Sequence, residues 1–287
     1  MQRKLTLILL LVLAGQLVIA GGPWPRKKGS GYAQLSGTYL GYSKIFDANS
    51  DIVSLRRNMT DVTIQAYLEY GLTDRLLFTV NMPFKYVNSS ENVNATDYFN
   101  DTVPAGSSFG LNTVLMGFKY TIINKKVLLA AGLNGEANVA RYDSLTTIRT
   151  GPESFVIHPY LSTGTSFGKF FTQLDAGYRF RLNGYSDEID LGYELGYSWN
   201  QKTYFILNVR GRVSVQNGSY DNAVTPNNPF GRDIHTMIDP NNQTYVGYGL
   251  KFIQKIKKVN INAGIYSGYG QLVAATPSFN LGIAYEW

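Results

Sequence analysis

The residues of this chain that could do chemistry are charges spaced two or four apart. Asp175, Arg179 and Arg181 share one parity, as do Asp190 and Glu194, and Arg210 and Arg212. Successive side chains of an extended strand alternate between faces, so each set projects from one face of its own strand. Folded as neighbours, these strands place the acids of the middle one between two arginine rows. Opposite charges so placed satisfy one another as a cross-strand ladder. The same wall could instead orient a passing solute. The balanced signs favour the ladder. Glu69, Lys85, Lys119, Glu136 and His158 form a second, sparser set on the same kind of face.

Other chemistries find less support. Acyl hydrolysis needs a serine beside a positioned base. The chain has two histidines, His158 and His235. The nearest downstream serine on the parity of His158 is Ser162, and His235 sits in a long polar stretch. Acid–base work needs a matched partner within hydrogen-bond reach, so both read as ordinary polar residues, and neither an enzyme nor a catalytic residue is expected. Glu91, Asp97 and Asp101, or Asp221 and Asp233, offer oxygen ligands without the compact alternation of a cation loop, so no metal or cofactor is expected either. Cysteine is absent, which excludes a disulfide framework, a thiolate metal site and a lipidated cysteine. The Asn-x-Ser/Thr sequences at Asn58, Asn88, Asn94 and Asn100 read as polar loop composition.

The elements that must position these charges repeat with a period of two. Val62, Ile64, Ala66, Leu68 and Tyr70 share one face, against Thr63, Gln65, Tyr67 and Glu69. The final segment sets Phe279, Leu281, Ile283, Tyr285 and Trp287 against Asn280, Gly282, Ala284 and Glu286. Strands are expected near 31–42, 62–70, 76–87, 110–120, 127–138, 155–167, 170–182, 187–199, 203–215, 243–252, 259–269 and 278–287. Pro83 should break the hydrogen-bond ladder of its strand, as a bulge or side opening. The connectors alternate: those at 71–75, 121–126, 168–169, 200–202 and 253–258 are short, those at 43–61, 88–109, 139–154 and 216–242 long. Short periplasmic turns, long outer loops and an even strand count describe a bacterial outer-membrane barrel. The fold expected is therefore all-β, a single transmembrane antiparallel β-barrel of about 12 strands over 31–287.

Composition agrees. Only 16% of residues are charged, against about 25% in soluble proteins, while there are 29 glycines and 21 tyrosines. A soluble β-barrel would carry its charges outward; here the polar face mixes Gly, Ser, Asn and both signs. One long apolar run exists, Leu5 to Leu13, after Arg3 and Lys4. With Val18-Ile19-Ala20 it forms a secretory signal peptide over 1–20, cleaved after Ala20, followed by a periplasmic or lumenal segment over 21–30. That Pro-, Lys- and Trp-containing segment could plug the lumen. No Lys/Arg block marks a nucleic-acid partner. The expected partners are outer-membrane lipids, lipopolysaccharide, a small-molecule solute, and the barrel assembly machinery, which reads the terminal aromatic residue Trp287.

Three motifs carry a family resemblance. Gly29-Ser30-Gly31-Tyr32, Glu69-Tyr70-Gly71-Leu72-Thr73-Asp74-Arg75-Leu76 leading to Met82-Pro83-Phe84, and Met116-Gly117-Phe118-Lys119-Tyr120 resemble the outer-membrane transporter family named for the MetA pathway of phenol degradation. The resemblance implies a channel-like barrel for small organic molecules. Relatives often place an Asp before the fourth strand where this chain has Asn112-Thr113, so no acid role carries over. The function expected is passive passage of small organic solutes, aromatic or hydrophobic ones among them, through an outer-membrane barrel. The alternative is a structural or adhesive barrel acting through its outer loops.

Overall fold

The computed structural model describes residues 22–90, 104–143, 146, 148–219 and 241–287. Its strands in chain order are β1 Gly31–Phe46, β2 Ile52–Gly71, β3 Leu76–Ser89, β4 Gly106–Leu111, β5 Thr113–Asn124, β6 Val127–Asn138, β7 Tyr142–Asp143 and β8 Ile148–Arg149. They continue as β9 Val156–Phe167, β10 Phe170–Arg181, β11 Glu188–Ser198, β12 Thr203–Ser214, β13 Tyr245–Ile256, β14 Val259–Gly270 and β15 Ser278–Glu286. β4 and β5 pair in turn with β3 and occupy one position, so the main sheet closes as a barrel of 12 antiparallel strands. β1 seals it against β15, with Tyr32 opposite Glu286 and Tyr39 opposite Phe279. Beyond this ladder Trp287 and Gly31 exchange both backbone hydrogen bonds, at 3.1 and 3.2 Å. A Cβ on Gly31 would lie 2.1 Å from the Trp287 ring, so glycine is required there.

Alternation sets the two faces. Leu35, Ile64, Phe118, Leu133, Leu161, Leu174, Leu191, Leu250 and Leu281 all point outward and stay exposed, Leu281 at 67%. A closed barrel satisfies its backbone internally and can stand in a medium without water. Exposed apolar surface on this scale, belonging to every wall, is matched to lipid. The short turns hold the expected chemistry. Gly168 takes a positive φ of 62° in the two-residue turn between β9 and β10, the conformation that a primed hairpin turn demands at its first position.

Three outer segments differ from the sequence expectation. The connector expected over 43–61 is mostly strand, because β1 runs to Phe46 and β2 begins at Ile52. Its tip is tied by the Asp47 carboxylate, which accepts the Asn49 and Asp51 N–H groups at 2.8 and 2.9 Å. The physical reason is burial. Ile45 is fully covered in a cluster with Tyr42, Met59, Val87, Ile148 and Leu272. Ile148 comes from β8, so the expected loop over 139–154 carries a small β7–β8 hairpin in that cap.

The third difference concerns the fourth strand, which is interrupted at Asn112. β3 stays paired with β2 straight through Pro83, opposite Gln65. The irregularity falls on the other neighbour: between the Phe84–Leu111 and Asn81–Leu115 pairs, the β4–β5 side holds one extra residue. Proline supplies no N–H, but its carbonyl accepts the Asn112 N–H at 2.9 Å. The break is therefore a bulge in the partner strand.

Candidate functional site

Within the barrel lies a cavity of about 470 Å³. Glu69, Lys119, Glu136, His158, Asp175, Arg179, Asp190, Arg210 and Arg212 all line it, together with Tyr67, Tyr160 and Asn134. Nine of the charged or ionisable residues singled out from parity thus meet in one space. A second cavity, of about 320 Å³, lies toward the outer end and adjoins the first at Asn112 and Arg212. Lys85 lines this outer cavity and bonds Asp61 at 2.6 Å. Arg181 and Glu194 border neither cavity; Arg181 is buried against Glu188, and Glu194 accepts a bond from the Asn208 amide at 2.7 Å.

The charges form a ladder, though not the one that register alone suggests. Asp190 stands directly opposite Arg212. The guanidinium that reaches it is that of Arg210, through Nε to Oδ1 at 2.9 Å and Nη2 to Oδ2 at 2.6 Å. This is a bidentate pair made on the diagonal. Arg179 spans three strands: two nitrogens bond Glu136 at 2.6 and 2.9 Å, and Nε bonds Glu188 at 3.0 Å. Arg181 completes the group, bonding the other Glu188 oxygen at 2.5 Å. Asp175 and Glu194 stand outside the arginine ladder. The described donor to Asp175 is the Gln173 amide at 2.7 Å. Glu188 and Asp61 were missed in the sequence, although their parity with Asp190 and Thr63 places both on the inner face.

The N-terminal segment approaches this site from the periplasmic end. Arg26 Nε bonds Glu69 Oε2 at 2.5 Å with both side chains buried, and the Tyr67 hydroxyl donates to the other oxygen at 2.7 Å. The Arg26 guanidinium lies 5.0 Å over the Tyr32 ring. Trp24 packs on Phe171, Tyr204, Ile206 and Ile253. Lys119 Nζ donates to the Gly22 carbonyl. Further out, the Lys28 N–H bonds Asp74 at 2.9 Å and the Gly29 N–H bonds the Gly71 carbonyl at 2.8 Å.

The abundance of glycine and tyrosine has a structural use here. A Cβ on Gly132 would meet the Tyr160 ring at 2.2 Å, one on Gly196 the Phe171 ring at 1.7 Å, and one on Gly249 the Tyr266 ring at 2.2 Å. In each case the glycine faces its ring across a strand pair, and the ring lies flat on the wall. Tyrosines therefore serve the lumen as well as the outer face.

His158 and Ser162 share the inner face of β9, but no described hydrogen bond joins them, and the Ser162 hydroxyl is buried without a partner. In the outer loop between β10 and β11, burial pushes the Asp187 carboxyl up. The Asn217 amide, the Arg181 N–H, the Tyr178 hydroxyl and the Arg181 charge outweigh it and hold the group below its ordinary value. His235, Glu91, Asp97, Asp101, Asp221, Asp233, Asn94, Asn100 and the segment ending at Ala20 lie outside the described residues.

No protein-family model matches the chain, and no curated protein matches it. Among solved structures it is similar to an outer membrane channel from Pseudomonas putida F1, with a TM-score of 0.63 and 13% identity, over 94% of this chain and 100% of that one. It is also similar to the translocator domain of the autotransporter NalP from Neisseria meningitidis, with a TM-score of 0.52 and 12% identity, over 100% of this chain and 96% of that one. At such identities the likeness is one of architecture. The chain has the closed antiparallel barrel fold of outer-membrane proteins.

Proposed function

We propose that this protein is a bacterial outer-membrane channel for passive passage of small organic solutes. One observation carries the reading: a charge-lined cavity of about 470 Å³ inside an apolar-walled barrel, adjoined by a second cavity toward the outer end. A purely structural barrel has no need of that space, since small barrels fill their interiors with side chains. The similarity to an outer membrane channel supports the same reading, as do the motifs resembling the transporters of phenol degradation. Tyr67 and Tyr160 give the cavity aromatic surface beside its charges, which suits aromatic solutes with a polar group. An export signal over 1–20 and assembly through the Trp287 strand belong to this proposal, with outer-membrane lipids and lipopolysaccharide as surroundings.

The test is single-channel recording of purified protein in planar bilayers. Discrete conductance steps are expected, and silence in every condition together with absent solute flux in liposomes would sink the reading. Selectivity adds a residue-level check. The Arg210 side chain remains 54% exposed in the lumen while it neutralises Asp190. Arg210→Ser removes a lumen cation and bares a carboxylate, so the reversal potential in a salt gradient should move toward cation selectivity.

A further inference from the structure

The lower lumen is built to bind a peptide, and we propose that residues 22–28 are its ligand: a reversible stopper of the periplasmic mouth. This rests on the channel reading for its consequence, although not for its geometry. The seat has two unlike halves. An aromatic and aliphatic slot formed by Phe171, Tyr204 and Ile206 holds Trp24. Two strands' breadth of wall then offers Glu69, whose carboxylate takes the Arg26 guanidinium on one oxygen and the Tyr67 hydroxyl on the other. The ligand class is thus a basic segment with a tryptophan two residues before an arginine, supplied by the chain itself. Gly22 forms part of the cavity lining and is held by Lys119, so the seated segment ends where the solute space begins.

Reversibility follows from what the seat leaves unsatisfied. Among the described residues, Trp24 Nε1 and Arg26 Nη2 are buried without hydrogen-bond partners. Burying a donor unpaired costs a large part of what its neighbours gain. None of residues 22–28 belongs to a strand, whereas every barrel wall is held by a continuous ladder. Elements with few backbone bonds open locally at far lower cost than the sheet they rest on. The stopper can therefore leave while the barrel stays closed.

The absence of cysteine makes this testable with a single thiol. Pro23 is buried and Lys28 exposed, so P23C reports the seat and K28C serves as a control. In refolded protein beginning at residue 21, alkylation of P23C by a water-soluble maleimide should be at least tenfold slower than that of K28C. Adding Arg26→Glu, or Glu69→Arg, should accelerate P23C labelling about tenfold, and combining both should restore slow labelling by re-forming the pair with reversed sign. Heat-modifiable migration on gels shows that each variant is folded. Equal fast labelling of P23C and K28C in the parent would overturn the proposal, as would failure of both single substitutions to accelerate it. Conductance of the same proteins separates the two readings. Labelling that responds while no variant conducts leaves the seat standing and removes the channel. Labelling that responds while the parent and Arg26→Glu conduct equally refutes the stopper.

Discussion

At the residue scale, the function of each charge depends on who desolvates it. Arg179 holds two carboxylates at once, with its own side chain 5% exposed and that of Glu188 1% exposed. Removing one partner of such a group strands buried charge, which costs about 3–5 kcal/mol. Arg179→Met should lower barrel stability by that order in urea titrations of detergent-solubilised protein. The Lys255–Glu286 pair has nearly the same length, 2.6 Å, but Lys255 is 34% exposed. Lys255→Met should cost under about 1 kcal/mol, because solvent already screens that pair. Equal losses for the two variants would mean that burial does not set the value of these pairs. Parity alone identified the inner charges, since a strand offers just two faces. It could not choose between Arg210 and Arg212 as the partner of Asp190, because guanidinium reach and sheet twist decide a diagonal contact.

At the element scale, the outer end of the barrel is a small core in its own right. Ile45, from the β1 extension, and Ile148, from β8, are both fully buried there, beside Leu272 from the last outer loop. An aspartate at one of these positions must be hydrated, so the cap should open rather than the barrel. Ile148→Asp is expected to make the 139–154 segment cleavable by added protease while the protein keeps its folded migration on gels. Resistance equal to that of the parent would show that the cap is not held by this cluster. The sequence pattern failed in this region for a definite reason. Lys44, Arg57 and Asn58 interrupt apolar alternation and look like loop, yet Tyr42, Ile45 and Met59 find their cover in other loops distant in sequence. Pro83 was legible as a break, but its proline keeps the carbonyl, so the disruption appears on β4–β5 instead.

At the scale of the molecule, the chain must close on itself. Trp287 supplies the last backbone bonds of the seam to Gly31 and stacks on Tyr285 with ring centroids 6.2 Å apart. Deleting Trp287 removes that final pairing at the strand where an open sheet would expose an edge. Refolding yield into detergent micelles should fall severalfold, while already closed barrels should conduct as the parent does; undiminished yield would show that the seam closes without its last residue. The sequence by itself determined the alternation, the charge-poor outer face, the approximate strand number and the residues of the inner wall. Each of these follows from the two-residue period of a strand and from loop length, which are local properties. Only the tertiary structure decided which charges pair, where the strands run on past their expected ends, and that residues 22–28 reach into the lumen. Those depend on closure, because strands far apart in the chain become opposite walls of one cavity only when β15 meets β1.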